Sequence, residues 1–428
     1  MARSEPLLIV GASHAGIQLA AAAREQGFDA PILLLGDEPH TPYQRPPLSK
    51  GVLTGKTAED QLALRGPDFY REQGIDLRLG VRVTGLDLAT RRLRLEDGGQ
   101  LDFGWLALAT GARCRRLSVP GADLQGVHAL RTLDDARAVA AALGASQRAC
   151  VIGGGFIGLE VAAALSSVGA SVTVVESQPR LLARTFPAAM SDYVADAHRR
   201  RGVALALGCG VRALHGHQGR VVAVELVDGR RIDCDLVVLG IGVQPNSELA
   251  EQAGIACDNG ILVDALGRSS APNVLAIGDV ANMALPALPA VPGGPQRARL
   301  ESIQAANDGA RAAATLLVDR PQPLDAVPWF WSEQHELKFQ MAGLPAPGDQ
   351  AVLRGELASD KFTLFYLRDG AVRAAHTVNR PAEHMLARKL IALGARIAPE
   401  LLADPSADLK PFSTPLGLRA DLFHGAPR

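Results

Sequence analysis

Apolar positions along the chain follow two different periods. Continuous apolar runs at residues 7–10 and 31–35 flank an alanine- and leucine-rich stretch over 15–26. That order spells strand, helix, strand, with strands buried on both faces. The plan returns at residue 149, with a strand over 149–152, a helix over 156–169 and Ser171-Val172-Thr173-Val174-Val175-Glu176 as the next strand. Between residues 75 and 109 the period drops to two. Asp76-Leu77-Arg78-Leu79, Val81-Arg82-Val83 and Leu93-Arg94-Leu95 alternate apolar with polar residues, broken at Gly80 and Asp97-Gly98-Gly99. An antiparallel meander is expected there, and Val221-Val222-Ala223-Val224-Glu225-Leu226, turning at Asp228-Gly229, predicts a second one. The long-period repetition indicates a duplicated nucleotide-binding unit, so the fold class is α/β: two Rossmann-like domains with antiparallel meanders. A stretch of four prolines and two glycines over 284–296 reads as a stiff loop, and a helix is expected over 300–318. Beyond Pro328, strands over 361–367 and 371–378 followed by a helix at 382–393 predict a smaller C-terminal α+β domain.

Each apolar strand opening a half runs into a glycine-rich turn. The first is Leu8-Ile9-Val10-Gly11-Ala12-Ser13-His14-Ala15-Gly16, the second Cys150-Val151-Ile152-Gly153-Gly154-Gly155-Phe156-Ile157-Gly158. In such a turn the first glycine permits the tight bend, the second admits the pyrophosphate, and the third lets helix and strand pack closely. Gly153, Gly155 and Gly158 meet all three demands, whereas Ser13 takes the middle position of the first turn. An acid at the end of the following strand suits the ribose hydroxyls: Glu176 lies 23 residues after Gly153 (176 − 153) and Asp37 lies 26 after Gly11 (37 − 11). A carboxylate there repels a 2′-phosphate and so favours NADH, while the neighbouring Arg180 and Arg184 leave NADPH open. Two dinucleotide sites in one chain point to an electron relay between cofactors.

Composition narrows the picture. At 428 residues the chain exceeds a single hydrophobic core, and 47% hydrophobic against 21% charged residues describes a globular protein. Forty-four basic and 45 acidic residues give a net charge of −1, so no global field draws nucleic acid or an anionic membrane. The chain runs almost at once into its first strand, with no secretory pattern and no apolar span of about 20 residues, so a soluble, cytoplasmic protein is expected. The five cysteines (114, 150, 209, 234 and 257) are scattered, the closest two 23 residues apart (257 − 234). No redox pair and no metal-ligand spacing occurs, and buried small residues are the expected reading.

Five further segments stand in a family order: Tyr43-Gln44-Arg45-Pro46-Pro47-Leu48-Ser49-Lys50, Ala109-Thr110-Gly111-Ala112, Gly240-Ile241-Gly242-Val243-Gln244-Pro245-Asn246, Ala276-Ile277-Gly278-Asp279 and Pro328-Trp329-Phe330-Trp331-Ser332. With the two turns they make the chain, from about residue 6 to about residue 412, resemble the FAD-dependent NADH:ferredoxin reductases of the putidaredoxin reductase and aromatic-ring dioxygenase type. The resemblance implies a glutathione-reductase-like fold: an FAD domain from residues 1–115 and 247–325, an NAD domain from 116–246, and a C-terminal domain from 326–428. It implies FAD contacts from Gly11, Ser13, His14, Ala15, Gly16, Asp37, Arg45, Lys50, Val83, Thr110, Gly111, Arg131, Gly278, Asp279, Ile303 and Trp331. NAD contacts are implied for Gly153, Gly155, Phe156, Ile157, Gly158, Glu160, Glu176, Arg184 and Gly242. Lys50 and Glu160 are the implied catalytic pair, Lys50 beside the flavin ring and Glu160 beside the nicotinamide. Taken singly, Lys50 reads as a surface amine, Glu160 as a first-turn helix acid and Gly278-Asp279 as a turn; their joint order is what opposes those readings.

The cysteine positions then discriminate within the fold. Disulfide reductases of this architecture need a cysteine pair, and related peroxidases one cysteine, near the position of Tyr43-Gln44-Arg45-Pro46; here no cysteine precedes Cys114. Electrons must therefore leave the flavin for an external acceptor. The expected activity passes electrons from NADH through FAD to a [2Fe–2S] ferredoxin serving a cytochrome P450 or a Rieske oxygenase. Such partners are acidic, and by resemblance Arg311, Trp331 and Lys410 belong to the docking patch. The alternatives are a rubredoxin reductase and a redox-dependent binding protein resembling apoptosis-inducing factor.

Overall fold

A computed structural model of the protein describes residues 5–144, 147–284, 297–323 and 325–414. Beyond Ala284, the proline-rich stretch expected as a stiff loop lies outside these residues.

The first half builds a five-stranded parallel sheet in the order Val274–Ala276, Trp105–Leu108, Leu7–Val10, Ile32–Leu35, Ile75–Arg78. Successive side chains point to opposite faces of a strand. Leu7, Ile9, Leu34 and Ala107 accordingly face the helices His14–Glu25 and Ile303–Leu317, while Leu8, Val10, Leu35 and Leu108 face the meander side. Alanines at positions 20, 22, 23, 310, 313 and 314 let the two helices approach closely in a shared core.

The second half repeats the arrangement in the order Ala204–Leu207, Ser171–Glu176, Arg148–Ile152, Leu236–Leu239, Val127–Ala129, again all parallel. An antiparallel ribbon of Ala112–Cys114 against Val243–Pro245 carries the chain out of the first unit and back into it. Both halves carry a three-stranded antiparallel meander: Val83–Asp87, Arg92–Leu95 and Gln100–Asp102 in the first, Val211–His217, Arg220–Leu226 and Arg231–Asp233 in the second.

One expectation is corrected. Residues 75–78 alternate like a meander strand, yet they pair in parallel with Ile32–Leu35 and close the first sheet. An edge strand with its polar side chains turned to solvent shows the same alternation as a half-buried antiparallel strand, which is why the pattern misled.

The C-terminal domain is a five-stranded antiparallel sheet in the order Trp329–Gln334, Leu337–Gly343, Ala371–Val378, Lys361–Arg368, Gln350–Glu356, with the helix Pro381–Ala392 against it. Its Phe339, Phe362 and Tyr366 join Leu159, Val161 and Tyr193 of the second half in one continuous core.

Candidate functional site

Both glycine turns are shaped by contacts internal to the protein. Gly11 sits at φ +117° and Gly153 at φ +113°, in the region that side-chain-bearing residues rarely adopt. A Cβ on Gly11 would stand 2.1 Å from the Ala109 carbonyl oxygen, and one on Gly153 would stand 2.3 Å from that of Gly240. At the third position the obstacle is the turn itself: a Cβ on Gly16 would lie 2.0 Å from Gly11 O, and one on Gly158 would lie 2.1 Å from Gly153 O. The middle position differs. A Cβ on Gly155 would meet only Gly240 O, at 3.9 Å, so Ser13 fits the corresponding place without strain.

Ser13 and Gly155 are the N-caps of the helices His14–Glu25 and Phe156–Ser167. Neither helix has a side-chain cap or a first-turn acid in its opening residues, although Ser13 is a residue type that commonly caps; Thr132 and Ser302 do cap the helices they precede. The positive ends of both dipoles are thus left for an anion, which fits a dinucleotide pyrophosphate at each turn. Glu176 ends the strand beside the second turn, its Oε2 accepting the Gly154 N–H at 2.6 Å and its Oε1 the Gln178 N–H at 2.8 Å. Ile157 is exposed there, and Phe156 packs edge-on against Phe186 with ring centroids 5.4 Å apart. Arg184 and Arg115 lie beside Gly242, whereas the Arg180 guanidinium is held by Phe186 O and the Ser191 hydroxyl.

At the first turn, charged groups gather around the helix start. Gly278, at φ +71°, lies so close that an added Cβ would come within 2.8 Å of the Ala15 methyl, and its neighbour Asp279 pairs with Arg131 at 2.7 Å. His14 stands among Arg45, Arg131 and Asp279; burial foremost, then the Arg45 charge, lowers its pKa to about 4. Arg45 is fixed by Glu38 at 2.5 Å and by the Arg131 carbonyl at 2.7 Å, and the Tyr43 hydroxyl donates to Glu38 while accepting the Leu133 N–H. Gly11, Ser13, His14, Ala15, Gly16, Arg45, Arg131, Gly278 and Asp279 are therefore brought together. Others of the expected FAD set sit at the margins. Asp37 is exposed and one position past the strand end matching Glu176, which in register is Gly36. Thr110 and Asn246 bond each other's carbonyls at the ribbon, Gly111 beside them has φ +65°, Val83 opens the meander, and Ile303 starts a capped helix. Trp331 stacks on Trp329, centroids 5.6 Å apart.

Lys50 and Glu160 meet between the two turns. The Lys50 ammonium donates to Glu160 Oε2 at 2.7 Å and to the Pro46 carbonyl at 3.2 Å, leaving one N–H for whatever lies in the opening. The Glu160 side chain is 2% exposed and that of Lys50 19%, so the carboxylate is sealed while the lysine keeps some access to solvent. Ser49 also donates to Oε2, at 2.6 Å, and Ser332 to Oε1, at 2.7 Å. Ser49 and Ser332 lie inside motifs recognised from the sequence but carried no assigned role; hydroxyls in such motifs are ordinary, and only the fold shows what they touch.

All five cysteines are free thiols. Burial pushes the Cys234 thiol up to about 12 and raises Cys114, Cys150 and Cys257 as well, so these thiols are protonated and inert at neutral pH. Among the described residues no group of three or more His, Cys, Asp or Glu side chains forms a metal cluster, and no helix is long and apolar enough to cross a membrane.

Comparison with known proteins agrees with this geometry. The family described as pyridine nucleotide-disulphide oxidoreductase matches residues 5–310, and that described as reductase C-terminal matches residues 329–413. Rhodocoxin reductase of Rhodococcus erythropolis is 43% identical over 404 residues, covering 94% of this chain and 93% of the relative. The ferredoxin–NAD(+) reductase component of the anthranilate 1,2-dioxygenase system of Burkholderia cepacia is 40% identical over 410 residues, covering 96% and 99%. Among solved structures, the covalent putidaredoxin reductase–putidaredoxin complex superposes with a TM-score of 0.91 at 37% identity, covering 95% of this chain and 98% of that one.

Proposed function

The chain belongs to the pyridine nucleotide-disulphide oxidoreductase family, and we propose that it is an FAD-containing ferredoxin reductase, drawing electrons from NADH and delivering them to a [2Fe–2S] ferredoxin that serves a cytochrome P450 or Rieske oxygenase. The observation that carries this reading is the Lys50–Glu160 contact, which joins the FAD half to the helix opened by the NAD turn, with hydroxyls and a carbonyl, not thiols, as its hydrogen-bonding neighbours. When bound, FAD would supply the redox chemistry that links a two-electron donor to a one-electron acceptor.

The chain's own residues bind, orient and set charge. The first turn, with Ala15 and Gly16 at the helix start, offers backbone N–H groups to the FAD pyrophosphate, and Ser13 adds a hydroxyl. The Arg131–Asp279 pair lies beside that helix start, and Asp37, Arg45, Val83, Thr110, Gly111, Ile303 and Trp331 complete the proposed FAD set. Gly153, Gly155, Phe156, Ile157, Gly158, Arg184 and Gly242 frame NADH, with Glu176 on its ribose. The Glu176 carboxylate disfavours a 2′-phosphate, and the tethered Arg180 is not free to offset it. Lys50 places a positive charge at the flavin ring, where negative charge develops on reduction. The ribbon supports dividing the chain into 1–115 with 247–325, 116–246, and 326–428. Solvent-facing Arg311 and Lys410, with Trp331, suit an acidic partner, and a cytoplasmic location suits a reductase of this kind.

The test is direct. Purified protein should be yellow, and NADH with a [2Fe–2S] ferredoxin and cytochrome c should reduce the cytochrome far faster than the same mixture without ferredoxin. Equal rates would end the assignment.

A further inference from the structure

The hydrogen bonds on Glu160 continue away from Lys50. Phe156 and Glu160 share one helix face, while Phe330, Ser332 and Gln334 share one strand face. Four residues of helix rise about 6 Å and two of strand about 6.8 Å, so the two series match step for step. Phe156 meets Phe330 with ring centroids 4.9 Å apart, and Glu160 meets Ser332. One step further, Gln334 Nε2 donates to Ser332 Oγ at 3.1 Å, and Gln334 Oε1 lies 2.9 Å from His198 Nε2. Exposure is 3% at Glu160, 0% at Ser332, and 1% at both Gln334 and His198, so the whole series is dry.

The directions of these bonds follow from Glu160. An ionised carboxylate only accepts, so the Ser332 proton points at it. The Ser332 oxygen then accepts from the Gln334 amide, and the Gln334 carbonyl requires the proton on His198 Nε2. His198 Nδ1 has no partner, in keeping with that tautomer. Burial and the nearby Arg201 lower the pKa of His198, so the ring stays neutral with one N–H to give. Every donor in the series is aimed toward one carboxylate oxygen.

We propose that Ser332 is a positioning residue for hydride transfer: its hydroxyl holds the Glu160 carboxylate turned toward Lys50, and Gln334 and His198 fix the direction of that hydroxyl. This rests on the reading of Lys50 and Glu160 as the pair beside the two cofactors. Without the hydroxyl, Oε1 is a bare acceptor in a dry site, and the carboxylate relieves this by rotating away from Lys50. The Lys50 charge is then less compensated, and reduction of the neighbouring flavin becomes easier.

The experiment uses the FAD-loaded full chain. The flavin midpoint potential is measured against a reference dye in the absence of NADH, for wild type, Ser332→Ala, Glu160→Gln and the double variant. Ser332→Ala should move the potential to a less negative value, Glu160→Gln at least as far, and the double variant no further than Glu160→Gln alone. Because Glu160 is then no longer held in its place beside the nicotinamide, NADH-driven flavin reduction in Ser332→Ala should slow about tenfold despite the less negative potential. Should Ser332→Ala fail to fold, Gln334→Met removes the amide donor and should shift the potential in the same direction by less. An unmoved potential, or an equal shift in the Glu160→Gln background, would overturn the proposal. A wild type that holds no FAD or is not bleached by NADH would instead defeat the reading beneath it.

Discussion

The two glycine turns occupy the same place in two copies of one fold, but they are not equally alike at every position. Gly11 N–H bonds Leu35 O and Gly153 N–H bonds Val175 O, each at 2.8 Å, which sets the equivalence residue by residue. The first and third positions are glycine in both halves, and there an added Cβ would overlap backbone that belongs to the fold. The second position is Ser13 in one half and Gly155 in the other, where the protein leaves room for a side chain. At the strand end Gly36 stands opposite Glu176, and at the first helical position His14 stands opposite Phe156. What the fold demands of itself is repeated; what lies on the side proposed for the nucleotide has diverged.

The sharpest way to break that comparison is to offend the repeated demand. Gly16→Ala and Gly158→Ala each place a methyl about 2 Å from a backbone oxygen that cannot retreat. Each should cost more than about 3 kcal/mol in urea unfolding, at the upper end of single-substitution effects. Of the two, Gly158→Ala should retain more of its yellow colour, because the damaged turn is the one proposed for NADH. Near-wild-type stability of either variant would show that the turn can open.

A smaller effect is expected where the halves diverge in charge. Glu176→Gln keeps the shape and removes the negative charge proposed to face the ribose. Loss of a charged hydrogen-bond partner is worth about 1.5–3 kcal/mol, so the ratio of kcat/KM for NADH over NADPH should fall tenfold or more. Flavin content should be unchanged. A constant ratio would mean that Glu176 only braces Gly154 and Gln178, whose N–H groups it already accepts.

Smaller again is the exchange at the second position. Gly155→Ser should leave the unfolding midpoint within about 1 kcal/mol of wild type, because the nearest protein atom to the new Cβ is 3.9 Å away. Any penalty should appear in the KM for NADH, as the side chain stands where the pyrophosphate is proposed to approach. Ser13→Gly should likewise be nearly neutral for stability. A large stability loss in Gly155→Ser would show that the protein, not the ligand, requires that glycine.

Much of this was readable before the fold was known. The apolar runs located both central strands and the helices after them, because buried parallel strands leave an unbroken hydrophobic signature. The strand Trp329–Gln334 was not foreseen, although its motif was recognised. Its buried positions are Ser332 and Gln334, so hydropathy reports the opposite of the true alternation. The helix Ala188–Arg200 was missed for a related reason: it buries Ser191 and His198 beside its apolar residues, which blurs the apolar stripe. In both cases the misleading residues are polar groups satisfied inside the protein, and in both they include members of the Glu160 series. Partnership across three parts of the chain leaves no trace in local pattern, which is why Lys50 and Glu160 could be named only by resemblance and Ser332 not at all.

The least effect belongs to the first helical position. His14, with its pKa lowered to about 4, is neutral in the folded protein and takes a proton in the unfolded chain below about pH 6.5. Between these values the unfolded chain binds more protons, so stability is whole above pH 6.5 and drains away as the pH falls toward 4, by no more than about 1.4 kcal/mol per pH unit for one histidine. His335 and His384, both lowered to about 4, and His376, lowered to about 3, act in the same sense from the C-terminal domain. His14→Phe copies the second half into the first and removes one contribution among several. The drop in urea midpoint of the flavin-free protein between pH 7 and pH 5 should then be measurably smaller than in wild type. If the drop is unchanged, His14 keeps its ordinary affinity for protons, and the burial and the cationic crowding by Arg45 and Arg131 that set the first turn apart from its twin are weaker than the geometry implies.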